Sequence, residues 1–111
     1  MKLLTAALRK QLPPIYSQEH IADPLVLVKF FTPWAKWTWY ALEFDGEDQF
    51  FGLIDGAEAE LGYFALSELS GIKGPLGLHV ERDRFWKPTP LSQVRLNGIF
   101  HRFGKEEYHG L

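Results

Sequence analysis

Between Phe30 and Leu66 the chain repeats one pattern, short runs of aromatic and branched apolar side chains broken by Asp-Gly or Pro. This stretch holds Trp34, Trp37 and Trp39, three of the four tryptophans, together with most of the phenylalanines. Broad side chains in runs of strand length fill a pleated, half-buried surface, and Asp-Gly steps between such runs favour tight antiparallel connections. The pattern predicts strands over 37–44, 50–54 and 61–66, with turns at Asp45-Gly46 and Asp55-Gly56. Leu25 to Phe31, almost continuously apolar, is expected as a central strand covered on both faces. Leu78 to Phe85 is expected as a charged edge strand.

The flanks read as short helices. Thr5 is placed to cap a helix running to about Gln11, stopped by Pro13-Pro14, with Leu4, Leu8 and Leu12 on the face that docks on the sheet. Residues 15 to 24 read as a connector. Ser67 to Ile72 and Leu91 to Leu96 are each expected to form one or two helical turns. The expected fold is therefore α+β: a single domain over 1–111, with a four- to five-stranded, mainly antiparallel sheet and short helices packed on it. The tail after about residue 98 is expected to be partly disordered.

A chain of 111 residues that is 46% hydrophobic can bury a core without staples, and there is no cysteine to supply them. That excludes disulfide frameworks, Cys-based zinc sites and thiol nucleophiles, and fits a reducing cytoplasm. Charge returns at Arg9 and Lys10 before an export signal forms, and no apolar run is long enough to span a bilayer. A soluble, cytoplasmic protein without a membrane partner is expected. Charge is polarised along the chain: eight carboxylates and no Lys or Arg lie between Trp37 and Ile72, whereas Lys73 to Lys105 carries seven basic residues and two acidic ones. The two segments either neutralise each other on packing or leave a basic surface for an acidic partner.

Several motifs occur in a fixed order: Leu12-Pro-Pro-Ile-Tyr, Asp23-Pro, Val28-Lys-Phe-Phe-Thr-Pro-Trp, Trp37-Thr-Trp-Tyr, Phe50-Phe-Gly-Leu, Glu60-Leu-Gly-Tyr-Phe, Glu81-Arg-Asp and Lys87-Pro-Thr-Pro. Over about residues 3 to 95 the chain thereby resembles a bacterial family of short proteins of unknown function often carried on conjugative plasmids and integrative elements. The resemblance implies a mobile-element setting and brings no established catalytic residues.

Strand alternation places Tyr40, Leu42 and Phe44 on one face of the 37–44 strand, and Trp37, Trp39, Ala41 and Glu43 on the other. Extended to neighbouring strands, it brings Lys29, Phe31, Gln49, Phe51 and Tyr63 near Trp37 and Trp39. Such a face is either core or a stacking platform for single-stranded nucleic acid. The candidate nucleic-acid-binding residues are Lys29, Phe31, Trp34, Lys36, Trp37 and Trp39 on the sheet, with Arg82, Arg84, Trp86 and Lys87 from the basic segment, where cations meet phosphates and rings stack on bases. The carboxylates Glu43, Asp45, Glu47, Asp48, Asp55, Glu58 and Glu60 lack the spacing of a calcium loop and read as solvated turns. The scattered histidines form no triad, and phosphate-loop and dinucleotide fingerprints are missing. The expected function is a non-enzymatic accessory that binds single-stranded RNA or DNA without a cofactor. The alternative is a module binding a replication, transfer or defence protein, since Trp, Tyr and Arg also dominate protein interfaces.

Overall fold

The computed structural model describes residues 2–96 and the backbone of 99–100; the expectation for the tail falls largely outside the described residues. Thr5 caps α1 (Ala6–Gln11) by accepting the Leu8 amide at 3.2 Å, and Pro13-Pro14 follow its end. The Phe44 amide then donates to the Pro13 carbonyl at 2.9 Å, which fastens the helix exit to the sheet.

The main sheet has six strands in the order β6-β2-β3-β4-β5-β8. Its antiparallel part is β2 (Val28–Phe31), β3 (Thr38–Phe44), β4 (Gln49–Asp55), β5 (Glu58–Ala65) and the short edge strand β6 (Glu81–Arg82). β8 (Ile99–Phe100) joins β5 in parallel. A separate two-stranded ribbon pairs β1 (Leu25–Val26) with β7 (Thr89–Pro90). α2 (Leu66–Gly71) follows β5 directly, and two 3-10 turns cover Pro75–Gly77 and Leu91–Gln93. The fold is α+β.

Two expected strands change. Leu25 to Phe31 is not one central strand: the chain bends at Leu27, whose amide donates to the Ala41 carbonyl, and β1 leaves for the ribbon. β2 then lies next to the edge, with Val28 and Phe30 buried while Lys29 and Phe31 are half-covered. The expected strand over 78–85 shrinks to two paired residues because the Asp83 side chain accepts the Phe85 amide and turns the chain away. The helical turns expected over 91–96 contract to Leu91–Gln93.

β3 is buried along its whole length, so both sheet faces are covered. On one face α1, α2 and Val80 enclose Val28, Phe30, Trp39, Ala41, Phe44, Phe50 and Phe64. Phe50 is the hub there, its ring centroid 4.5 Å from Phe44, 5.1 Å from Phe64 and 5.4 Å from Phe30. On the other face Val26, Leu91 and Trp86 cover Tyr40, Leu42 and Leu53.

A β-bulge decides which side chains reach which face. Ala41 pairs with Gly52, but the next pair is Glu43 with Phe51, so Leu42 is an extra residue in β3. Parity inverts there: Phe44 joins Trp39 and Ala41 in the phenylalanine core, while Glu43 follows Tyr40 and Leu42 to the opposite face. Gly52 permits the close approach, since a Cβ at this position would stand 2.0 Å from the Tyr40 carbonyl oxygen.

Candidate functional site

The bulge delivers a carboxylate to a place where the sequence offers it no partner nearby. Glu43 is only 4% exposed, and a buried carboxylate needs donors. They come from the connector between α1 and β1. The Tyr16 amide donates to Oε1 at 2.9 Å and the Gln18 amide to Oε2 at 2.8 Å. The Gln18 side-chain amide donates to the bulged residue's carbonyl, that of Leu42, at 2.8 Å. To present these groups the backbone at Tyr16 adopts φ of 73°, a left-handed conformation unfavourable for a ring-bearing residue by about 1–2 kcal/mol. The clamp around Glu43 is the compensation.

The clamped loop and the sheet enclose a cleft of about 460 Å³, counted out to its solvent opening. Its floor is Leu42, Glu43 and Phe51, and its walls carry Tyr16, Ile21 and Tyr63. Three of these apolar-bodied side chains reach solvent: Tyr16 is 66% exposed, Ile21 48% and Tyr63 46%. Phe51 and Tyr63 meet edge to face with centroids 5.1 Å apart, as cross-strand neighbours. The Tyr63 phenol is pushed up to about 12, first by its hydrogen bond with Tyr16 and then by desolvation, with the charges of Glu43 and Glu19 adding to the shift. Two phenols and two carboxylates therefore share one concave, aromatic-walled surface.

The residues expected to bind nucleic acid do not share one platform, although Arg82, Arg84 and Trp86 line one depression and Lys29 reaches the Trp86 ring. Trp39 is core, 6% exposed, whereas its neighbour Trp37, stacked on it at 6.0 Å with Gly56 beneath, is 46% exposed. Lys29 and Phe31 do not join them. Pairing of Lys29 with Tyr40 puts both on the opposite face, where the Lys29 ammonium lies 5.4 Å from the Trp86 ring and 3.9 Å from the Asp83 carboxylate. Phe31 pairs with Thr38 on the same side. Trp34 lies over Gly74, and Lys36 is exposed on the turn beside it. Arg82 donates to the carbonyls of Lys2 and Leu3 at 2.6 and 2.9 Å, fixing the N-terminal segment. Trp86 donates its indole N–H to the Val26 carbonyl at 3.0 Å. Arg84 and Lys87 remain exposed on the loop after β6, flanking Phe85, which is 87% exposed. A second, open depression lies between Leu8, Leu27, Arg82, Arg84 and Trp86.

The acidic turns are more than solvated charge. The Asp45 side chain accepts the amides of Glu47, Asp48 and Gln49, which hold its carboxyl below the usual carboxylate range. Asp48 accepts the backbone amide and the hydroxyl of Ser67 at 2.8 and 2.6 Å, securing the start of α2, where Glu68 also accepts the Ala65 amide.

A model of the family DUF2958, described as proteins of unknown function, matches residues 3–96. The chain belongs to this family. The matched span includes every residue of the cleft and both short helices. No curated protein and no solved structure matches the chain. Among the described residues no helix is long and apolar enough to cross a membrane.

The cleft residues Tyr16, Ile21 and Glu43 were outside the expected binding set. One local signal pointed to Glu43, a carboxylate between Leu42 and Phe44 in the most apolar strand. Nothing local marks Tyr16 as its partner across 27 residues.

Proposed function

We propose that this protein is a non-enzymatic interaction module that captures a side chain of a partner protein in the cleft between Tyr16, Ile21, Phe51 and Tyr63. The observation that supports this reading is the exposure of Tyr16, Ile21 and Tyr63 around one concavity, held by a left-handed backbone and a buried carboxylate. Tyr supplies a large, stiff contact surface with a polar tip, which suits the centre of a protein interface. In the mobile-element setting that the sequence resemblance implies, a replication, transfer or defence protein is the expected partner.

The nucleic-acid reading retains two features, the exposed Trp37 ring and the Arg84-Phe85-Trp86-Lys87 loop with its exposed ring and cations. Its expected sheet platform is absent from the reading because Trp39 is core and Lys29 faces away from it. The two proposals separate in one experiment. A photo-reactive residue replaces Tyr63 or, as a comparison, Phe85, and is activated in cells of the natural host. Our reading expects a reproducible protein adduct from position 63 that disappears in the Tyr16→Ala background. Nucleic-acid adducts from position 85, with none of protein from position 63, would favour the other.

A further inference from the structure

Resting on that reading of the cleft, we infer that its occupant is a cationic side chain, an arginine of the partner protein seated against the hydrogen-bonded Tyr16 and Tyr63 rings with its guanidinium toward Glu19 and Glu43. The argument is charge complementarity in an aromatic enclosure. The cleft is lined by three aromatic rings and two carboxylates, and among the described residues no Lys, Arg or His lines it. The hydrogen bonds to Glu43 come from neutral backbone amides, which satisfy two lone pairs but do not cancel its charge. A carboxylate oxygen accepts more than one hydrogen bond, so Glu43 keeps acceptor capacity while remaining clamped.

The field of these carboxylates registers on the cleft wall itself, since both raise the Tyr63 phenol. Elsewhere in the molecule rings that face cations are already served: Lys29 lies over Tyr40 and Trp86, and Arg9 lies over Phe44. The cleft presents the same combination of ring and negative charge with no cation of its own among the described residues. Arginine fits better than lysine because its planar, weakly hydrated guanidinium stacks on aromatic faces and donates through several N–H groups at once. Its aliphatic stem matches the Ile21 and Leu42 surfaces. A single-stranded nucleic acid, polyanionic, would meet repulsion from the same two carboxylates.

The test uses the full chain and small probes. N-acetylarginine amide, its uncharged isostere N-acetylcitrulline amide and N-acetylnorleucine amide are titrated against isotope-labelled protein while the resonances of Tyr16, Phe51 and Tyr63 are followed. The expected result is saturable shifts with the arginine probe at an affinity at least about tenfold above citrulline, where tenfold corresponds to about 1.4 kcal/mol. Glu19→Gln, at an exposed position that leaves the Glu43 clamp intact, should weaken the arginine probe several-fold and leave the norleucine probe unchanged. Citrulline or norleucine binding as well as arginine would overturn the cationic assignment while leaving the cleft as a protein-docking site. No shift with any of the three would also overturn it, and the interaction reading would then stand or fall on the cross-linking at position 63. Shifts of the same resonances by a single-stranded oligonucleotide, with none from arginine, would contradict both.

Discussion

Glu43 is the residue whose removal tests the architecture of the cleft, and its effect can be worked from the contacts. Glu43→Ala deletes the acceptor of the Tyr16 and Gln18 amides. A buried donor left without a partner costs about 1–3 kcal/mol, so two would cost roughly 2–6. The lower part of that range applies, because both amides lie in a part-buried loop that can lift into water, and because the variant no longer buries a charge. We expect a loss of about 2–3 kcal/mol, read as a urea midpoint lower by about 1–2 M with little change in slope. Glu43→Gln keeps one acceptor but turns an NH₂ group toward an amide donor, and should fall between wild type and Glu43→Ala. Amide exchange distinguishes this mechanism from general loosening: Tyr16 and Gln18 should lose protection under conditions where the Phe50 and Phe64 amides keep theirs. An unchanged midpoint for Glu43→Ala, or equal loss of protection throughout the sheet, would refute the reasoning.

Gly52→Ala should be severely destabilising, more than about 3 kcal/mol, because its Cβ would meet the Tyr40 carbonyl oxygen at 2.0 Å, whereas Gly71→Ala, with open space around it, should be tolerated; thermal melts of both check this. Asp48→Ala removes two bonds to Ser67 and should cost about 1–2 kcal/mol by analogy with helix caps, measurable by urea unfolding. Asp45 has its carboxyl lowered by the Glu47, Gln49 and Asp48 amides, so its contribution is complete above the ordinary value of 3.8 and disappears as pH falls through the lower folded value. The melting-temperature gap between wild type and Asp45→Ala should therefore narrow in acid, and a gap that widens there would contradict the assignment. Tyr63 is raised to about 12 chiefly by Tyr16, and Tyr40 to about 12 by burial and then Asp55, so the fold favours both protonated phenols. Stability should hold below the ordinary value of 10.0 and decline as pH rises toward 12, with a phenolate absorbance titration showing two late tyrosines; simultaneous ionisation of all tyrosines near 10 would count against it.

The strands 38–44 and 49–55 are legible because aromatic runs and Asp-Gly turns are local signals, as are the Thr5 cap and the proline stop of α1, whereas β5 starts at Glu58, ahead of the apolar run 61–66 that signals it, and ends before Leu66. The faces of those strands are not legible. Alternation correctly separates Trp39 from Tyr40, but a single extra residue at Leu42 exchanges Phe44 and Glu43, and no local pattern announces a bulge beside which the missing side chain of Gly52 permits close approach of the neighbouring strand. Alternation alone puts Lys29 beside Trp39; the β2–β3 register, which no local pattern carries, pairs it with Tyr40 instead. The connector 15–24 looked featureless because its role depends on Glu43, far away in sequence. At Arg82 the sequence shows a charge and not its partners in the fold, two backbone carbonyls near the N-terminus.

The most direct test of the docking role is calorimetric titration of the purified partner recovered through position 63 against wild type, Tyr63→Ala and Arg84→Ala. Tyr63 is exposed at the cleft mouth and Arg84 lies on the loop after β6, so neither truncation should unfold the protein. The account predicts that Tyr63→Ala lowers affinity at least about tenfold, the size of an interface hot spot, while Arg84→Ala leaves it within about twofold. Full affinity for Tyr63→Ala together with a large loss for Arg84→Ala would contradict it.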